Sequence, residues 1–191
     1  LQCRPINFGG GREVIRVGGG INFRLDRELS SSLFGNVFMA TCRGLNPDDP
    51  LKEGPRVAVK KSSLARMRRN PEENIFKEVA AMRYFQQRGG HRGHPYIMTD
   101  VEAYLSREHL YMVTPFYLRG DLLEYVLHDT HGMDESKARL FFRQVLWAVQ
   151  FMHDESLCHH DISPENILIS GDGSHVKLTD LGMCQQIPAL P

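Results

Sequence analysis

The longest periodic stretch of the chain covers residues 135–153 and runs directly into a segment rich in polar side chains. Its apolar residues recur at the spacing of successive helical turns. They are Leu140, Phe141, Val145, Leu146, Val149 and Met152. The pattern predicts a buried helix that leads straight into the polar segment at residues 158–168.

Three polar residues follow this helix at a defined spacing. Asn166 comes five residues after Asp161, and Asp180 comes fourteen residues after Asn166. A carboxylate can orient a hydroxyl group, and an amide with a second carboxylate offers the hard oxygen ligands that magnesium prefers. This spacing is what phosphoryl transfer from a magnesium nucleotide needs.

The composition is that of an ordinary globular protein, with 41% hydrophobic and 24% charged residues among 191. One large domain or two small lobes both fit this length. The 23 basic and 23 acidic side chains cancel, so the net charge favours neither nucleic acid nor an anionic membrane as a partner. No apolar run approaches the roughly 18 residues of a membrane helix, so we expect a soluble chain.

The four cysteines are scattered and form no C-x-x-C pair, which argues against a disulfide framework or a zinc site. A reducing compartment is the simpler interpretation, so we expect an intracellular, cytoplasmic protein. His91 and His94 form an H-x-x-H pattern among glycines, where zinc is not expected. The basic run at residues 60–69 lacks interleaved aromatic residues and is interpreted as a solvated surface or docking segment.

The first 120 residues are rich in strand-like segments, and the composition becomes helical near Arg119. β-branched and aromatic runs bounded by turn residues predict the strands. The predicted strands cover residues 12–17, 34–42, 56–61, 98–105 and 109–116. A helix is predicted from Pro71, capped by Asn70, with Ile75, Val79, Met82 and Phe85 on its apolar face.

Five short elements in a fixed order resemble the eukaryotic protein kinase family of the serine/threonine type. They are Val57-Ala58-Val59-Lys60, a helix with Glu78, His159-His160-Asp161, Asn166 and Asp180-Leu181-Gly182. The resemblance covers about residues 25–184. It implies an α+β, bilobal protein-kinase-like fold, with an antiparallel-sheet N-lobe carrying one main helix and an incomplete, mainly helical C-lobe. Residues 1–24 would be an extension with extra strands, 25–117 the N-lobe and hinge, and 118–191 part of the C-lobe.

The resemblance also implies roles for the polar residues, with ATP and Mg²⁺ as cofactors and a protein as substrate. Lys60 would contact the α- and β-phosphates, and Glu78 would hold it by an ion pair. Asp161 would orient the attacking hydroxyl, while Asn166 and Asp180 would bind magnesium. Oligomeric state stays open.

The nucleotide pocket follows from the same resemblance. Leu29 and Gly35 would lie in the loop over the phosphates, and Val37, Ala58 and Leu168 would enclose the adenine ring. Thr114 would stand at the gatekeeper position, the carbonyl of Pro115 and the amide of Tyr117 would bind adenine, and Asp121 would bind the ribose. A surface role for Asp121 is an equal alternative.

Five residues depart from the family pattern, of which Leu181, in place of a phenylalanine, keeps an apolar packing group. Ser30 and Ser32 replace the first two glycines of the phosphate loop, Ser163 replaces a lysine, and His160 replaces an arginine. These changes leave open a second hypothesis, a pseudokinase that acts as a regulatory binding or scaffold module.

The sequence begins at Leu1 and stops at Pro191, soon after Asp180. We interpret it as a fragment of a longer product, because the family places an activation segment and further helices after this point. Residues 1–191 alone are then expected to expose apolar surface of the large lobe and to be inactive or poorly folded.

Overall fold

The structure of the protein is a computed structural model that describes residues 2–8, 12–44, 52–69, 75–90, 93–128 and 132–187. The chain divides into two compact units. The first consists of Leu1–Glu73 and Val101–Phe116, and the second of Asn74–Asp100 and Tyr117–Pro191. The lobe boundaries inferred from the sequence stay a prediction.

The first unit is built on a seven-stranded antiparallel sheet with the strand order β1-β2-β3-β4-β5-β7-β6. The strands are β1 (Arg4–Phe8), β2 (Arg12–Arg16), β3 (Asn22–Ser32), β4 (Gly35–Arg43), β5 (Glu53–Ser63), β6 (Glu102–Leu105) and β7 (His109–Pro115). A short helix, α1 (Leu64–Arg69), follows β5 and buries Met67.

One face of this sheet carries the core of the first unit. Side chains alternate between the two faces of a strand, so every second residue points to the same side. The buried residues are Cys3, Ile15, Phe23, Leu25, Ala40, Cys42, Val59, Tyr104, Tyr111 and Val113. The residues that alternate with these along β4, β5 and β7 point to the opposite face of the sheet.

The two ends of the strand order meet, so the sheet curls back on itself. The backbone N–H of Cys3, just before β1, donates to the carbonyl of Leu105 at the end of β6 over 3.0 Å. The rings of Phe23 on β3 and Tyr104 on β6 lie 5.8 Å apart although their strands are not neighbours. Such closure removes exposed strand edges, which would otherwise invite pairing with other chains.

The second unit combines three helices with short strand pairs. The helices are α2 (Ile75–Arg88), α3 (Leu122–His128) and α4 (Glu135–Asp154). The strands are β8 (Leu157–Cys158), β9 (Ile167–Ile169), β10 (Val176–Leu178) and β11 (Gln185–Gln186), paired as β8 with β11 and β9 with β10. No helix in the described part of the chain is long and apolar enough to cross a membrane.

Helix α4 confirms the periodic stretch but not the whole of its predicted buried face. Asp134 caps the helix by accepting from the backbone N–H of Lys137 over 2.9 Å. The buried residues are Phe141, Gln144, Ala148 and Met152, which share one face at spacings of three and four residues. Leu140 and Leu146 lie off this stripe and are exposed, as are Phe142 and Trp147.

The predicted stripe on α2 is confirmed, because Ile75, Val79, Met82 and Phe85 are all buried. The predicted cap at Asn70 and the first turn at Pro71 lie outside the described residues.

Strand predictions were correct for β2, β4, β5 and β7 within a few residues at either end. The segment predicted as a strand from residue 98 was wrong at its start, because β6 begins only at Glu102. Before it, Met98 donates its backbone N–H to Leu178 over 2.8 Å within the second unit. Strand β1 lies within residues 1–24, where extra strands were expected without bounds, whereas strand β3 and helix α1 were missed.

Candidate active site

Asp161 and Asn166 are joined by two hydrogen bonds. The Asn166 side-chain amide Nδ2 donates to the backbone carbonyl and to carboxylate Oδ2 of Asp161, each over 2.9 Å. A tight turn at Pro164–Asn166 makes this possible by folding the chain back within five residues. Asp161 is exposed, so its carboxylate can also accept a hydrogen bond from a ligand.

A short hairpin brings Asn166 next to the segment that contains Asp180. Strands β9 and β10 are antiparallel, and Ile167 pairs with Leu178. Asn166 precedes β9 and Thr179 follows β10, so both lie at one end of the hairpin. The Thr179 backbone N–H donates to the Asn166 carbonyl over 2.9 Å. The three oxygen-bearing residues predicted from their spacing therefore come together.

Asp180 adopts the left-handed backbone conformation, with φ of 58°. This conformation is uncommon for residues other than glycine, and Asp tolerates it better than most. Its side chain caps the following turn, Leu181–Met183, by accepting from the backbone N–H of Gly182 over 3.3 Å. Leu181 is fully buried, as expected for an apolar packing group.

The donor chemistry of this cluster fits a magnesium ion. Because Asn166 uses its amide nitrogen on Asp161, its side-chain oxygen Oδ1 is left as the hard ligand atom. The Asp180 carboxylate offers a second hard oxygen, and magnesium is usually held by one or two carboxylates with other oxygens.

His159 forms hydrogen bonds to both segments of this cluster, the one with Asp161 and the one with Asp180. Its ring nitrogen Nδ1 accepts from the Asp161 backbone N–H over 3.2 Å, so Nε2 carries the proton and donates to the Thr179 carbonyl over 3.0 Å. Burial lowers the pKa of His159, and the bond to Thr179 only partly opposes this. A buried, neutral imidazole therefore links the Asp161 backbone to the carbonyl of Thr179, the residue before Asp180.

The lowered pKa of His159 predicts a loss of stability in mild acid. The unfolded chain takes up a proton near pH 6.5, whereas folded His159 resists protonation to lower pH. Its contribution is therefore complete above about pH 6.5 and is lost as the pH falls towards the folded pKa. His94 and His109 share this direction because of burial. The midpoint temperature of thermal unfolding should fall as the pH is lowered from 8 to 5, and His159→Gln should weaken this pH dependence. The exposed neighbour His160→Gln is the control, and equal flattening in both variants would contradict the assignment.

Glu78 is buried on α2 in the second unit, with 3% of its surface exposed. Helix α2 packs against the Leu181–Met183 turn of the same unit. Lys60 lies on β5 of the first unit. The ion pair between the two residues stays a prediction.

Four predicted nucleotide-binding residues share one face of the sheet in the first unit. Val37 lies opposite Lys60, and Ala58 lies opposite Thr114. Directly opposed residues of antiparallel strands point to the same side, and Lys60 is two residues from Ala58. This face is the reverse of the core face that contains Val59. The first unit thus brings together Val37, Ala58, Lys60 and Thr114.

The predicted phosphate loop is a β-hairpin between β3 and β4 with a register shift near its tip. Ser30 pairs with Val37 and Ser32 with Gly35, and Leu29 lies at a register shift between Glu28 and Ser30. Among the described residues, positive φ outside glycine occurs at Ser156, His160 and Asp180 only. The two serines therefore need no glycine-like backbone in this hairpin.

The packing of β4 against β5, and not contact with phosphates, requires glycine at position 35. A Cβ built on Gly35 would lie 1.9 Å from the carbonyl oxygen of Lys61 on the neighbouring strand. The close approach of β4 to β5 therefore excludes any side chain at this position.

The remaining predicted pocket residues are divided between the units. Pro115 ends β7 in the first unit and pairs with Val57. Tyr117, Asp121 and Leu168 belong to the second unit, where Asp121 and Leu168 form an isolated bridge.

The carboxylate of Asp121 caps helix α3 by accepting from the Glu124 backbone N–H over 2.8 Å. This structural bond occupies one of its oxygen atoms.

Burial, with Asp100 nearby, raises the pKa of Tyr117 to about 12, so its phenol stays protonated.

Sequence reasoning missed one polar residue that supports the site. Gln144 is buried on α4, where its Nε2 donates to the Ser174 carbonyl over 3.2 Å. Its Oε1 accepts from the Val176 backbone N–H over 2.9 Å. These bonds fix the turn of the β9–β10 hairpin, and a glutamine within an apolar helical stripe is the signal that could have found it.

Comparisons with known proteins identify a family and several relatives. The family model described as protein kinase domain matches residues 48–190. The "Probable serine/threonine protein kinase IRE" of Arabidopsis thaliana is 30% identical over 162 residues, covering 85% of this chain and 12% of that protein. The serine/threonine-protein kinase PAK mbt of Drosophila melanogaster is 34% identical over 134 residues, covering 70% of this chain and 19% of that protein. CBL-interacting protein kinase 20 of Oryza sativa subsp. japonica is 31% identical, covering 84% and 33% respectively.

The chain belongs to the protein kinase family, and the first two of these relatives are named serine/threonine protein kinases. The predicted α+β kinase fold class and the family resemblance are thus confirmed. The chain spans a third or less of the length of these relatives.

Proposed function

We propose that the protein transfers the γ-phosphate of ATP to a serine or threonine hydroxyl of a protein substrate. One observation carries the proposal, namely the pair of hydrogen bonds from the Asn166 amide to Asp161. They fix the orientation of the exposed Asp161 carboxylate while leaving an oxygen of Asn166 for a cation. The names of the Arabidopsis and Drosophila relatives support serine or threonine as the acceptor.

Asp161 acts on the substrate hydroxyl. Because the transition state of phosphoryl transfer is loose, orientation of the hydroxyl matters more than the basicity of the carboxylate. The Asn166 amide and the Asp161 backbone bond to His159 restrict the position of this carboxylate. Preorganisation of this kind lowers the entropic part of the barrier.

Asn166 and Asp180 would hold magnesium, which when bound neutralises phosphate charge. By the family resemblance, Lys60 would contact the α- and β-phosphates, with Glu78 as its proposed ion-pair partner. Val37, Ala58 and Leu168 would enclose the adenine ring, and Leu29 and Gly35 would lie in the loop above the phosphates. Thr114, Pro115 and Tyr117 would bind the adenine edge, and Asp121 remains a candidate for the ribose.

The test is phosphate transfer by the full-length protein from labelled ATP with magnesium, to itself or to a generic protein substrate. Transfer should be clear for the wild-type protein and fall by roughly 10³-fold in Asp161→Ala, because the hydroxyl loses its acceptor. Asp154→Ala removes an exposed carboxylate from the end of α4 and serves as the matched control. Equal transfer by wild type and Asp161→Ala would reject the proposal.

A second candidate function is a pseudokinase module that binds a partner without efficient catalysis. Ser163 supplies no cation beside Asp161, and the exposed His160 is a weaker phosphate partner than arginine. This function requires that wild-type transfer does not exceed that of Asp161→Ala, so the same assay separates the two.

The lack of disulfides among the four cysteines is compatible with the proposed intracellular, cytoplasmic location.

A further inference from the structure

Glu13 makes two polar contacts across the interior of the curled sheet in the first unit. Its carboxylate forms an ion pair with the Lys61 ammonium group and accepts from the Tyr111 hydroxyl over 3.0 Å. Glu13 lies on β2, which is three strands from β5 in the sheet order. These contacts therefore span the enclosed side of the sheet and do not follow its ladder.

The polar contacts lie in a sheltered environment. The side chains of Glu13 and Lys61 are 19% and 23% exposed, and Tyr111 is fully buried. Burial raises the pKa of Tyr111, and the Glu13 charge adds to this, so the phenol stays a donor. A pair held away from bulk water is screened little by salt, and loss of one member leaves its partner uncompensated.

Lys61 follows Lys60 on β5, so the two side chains point to opposite faces of the sheet. Lys60 lies opposite Val37 and Met112 on the face of the predicted nucleotide pocket, and Lys61 lies opposite Asn36 and Tyr111. A one-residue slip of β5 would exchange the faces of the two lysines. A contact that anchors Lys61 to the enclosed face therefore also determines where Lys60 points.

The anchor comes from a segment outside the matched family region. The family model begins at residue 48, whereas β1 and β2 cover Arg4–Phe8 and Arg12–Arg16. The hydrogen bond from Cys3 to Leu105 ties this hairpin to β6 at the other end of the sheet order. The hairpin is thereby held over β5 and β7 from two directions.

We propose that Glu13 is a positioning residue for Lys60: by holding Lys61 and Tyr111 across the closed sheet, it fixes β5 so that Lys60 faces the nucleotide. The part that concerns nucleotide binding rests on the proposed function. The part that concerns β5 does not, and it can be measured without any activity.

Two near-isosteric variants test the proposal. Glu13→Gln removes the charge and keeps the shape, and Tyr111→Phe removes only the hydrogen bond. Glu108→Gln, an exposed carboxylate in the turn before β7, is the matched control. Amide hydrogen exchange at residues 57–63 should rise about tenfold in Glu13→Gln and less in Tyr111→Phe, with no rise in the control. The dissociation constant for a fluorescent ATP analogue with magnesium should rise about fivefold or more in Glu13→Gln.

Several outcomes would overturn the proposal. One is that Glu13→Gln or Tyr111→Phe unfolds at a lower temperature but shows wild-type exchange at residues 57–63, which would indicate a general structural role. Another is unchanged nucleotide affinity in Glu13→Gln while the wild type binds. If the wild type binds no nucleotide, the proposed function fails, and increased exchange at residues 57–63 would still support the anchoring of β5 by Glu13.

Discussion

Replacing Asn166 by alanine should lower kcat/KM for phosphate transfer by roughly 10³-fold, with little change in the unfolding temperature. The substitution removes the amide that donates to both the carbonyl and the carboxylate of Asp161. It also removes the oxygen proposed to bind magnesium. The loss should therefore combine a poorly oriented carboxylate with a weakened cation site, whereas the Thr179 bond to the Asn166 backbone remains.

Asn166→Asp separates these two effects. It keeps oxygen ligands for the cation, but it replaces the N–H donor by a carboxylate beside Asp161, so the two groups repel. We expect apparent magnesium affinity to be retained better than in Asn166→Ala, with transfer still impaired. Asn22→Ala removes an amide hydrogen bond of 2.9 Å to Gly20 far along the chain and is the control. Transfer by Asn166→Ala within tenfold of wild type would contradict the assigned roles.

Gly35→Ala should reduce the free energy of unfolding by about 3 kcal/mol or more. The added Cβ would lie 1.9 Å from the Lys61 carbonyl oxygen and 3.2 Å from the Ser62 Cα. Both are backbone atoms, so neither can move without separating β4 from β5. Denaturant unfolding followed by circular dichroism measures the change.

Gly18→Ala is the matched control for this prediction. No atom lies within 4 Å of a Cβ built on Gly18, and its φ is not positive. Its free energy of unfolding should stay within about 0.5 kcal/mol of wild type, or rise slightly because the unfolded chain loses freedom. Equal effects of the two substitutions would mean that β4 and β5 do not approach as closely as described.

Elements with strong local patterns could be predicted from the sequence. Helix α4 and strand β5 have apolar residues at the spacing that their burial requires, so their positions were predicted to within a few residues. Strand β3 was missed because its second half is exposed and reads as a polar run from Arg27 to Ser32. Helix α1 has six residues, too few to display a helical period.

The candidate site could also be predicted only in part. The spacing of Asp161, Asn166 and Asp180 was enough to predict that they act together. The sequence could not show that the Asn166 amide turns towards Asp161, or that His159 bonds both backbones, since these depend on folded geometry. The contact of Glu13 with Tyr111 joins residues 98 positions apart, and no local pattern reports such a contact.

Asp161, Asn166 and Asp180 are proposed to form part of a nucleotide–magnesium site. Thermal unfolding of the wild-type protein and of Asp180→Ala, each with and without ATP and magnesium, tests it most directly. Ligand at about 100 times its dissociation constant adds roughly 2.7 kcal/mol, so the wild-type unfolding temperature should rise by several degrees. We predict that this rise needs magnesium and disappears in Asp180→Ala. No rise in the wild type, or an equal rise in Asp180→Ala, would contradict the account.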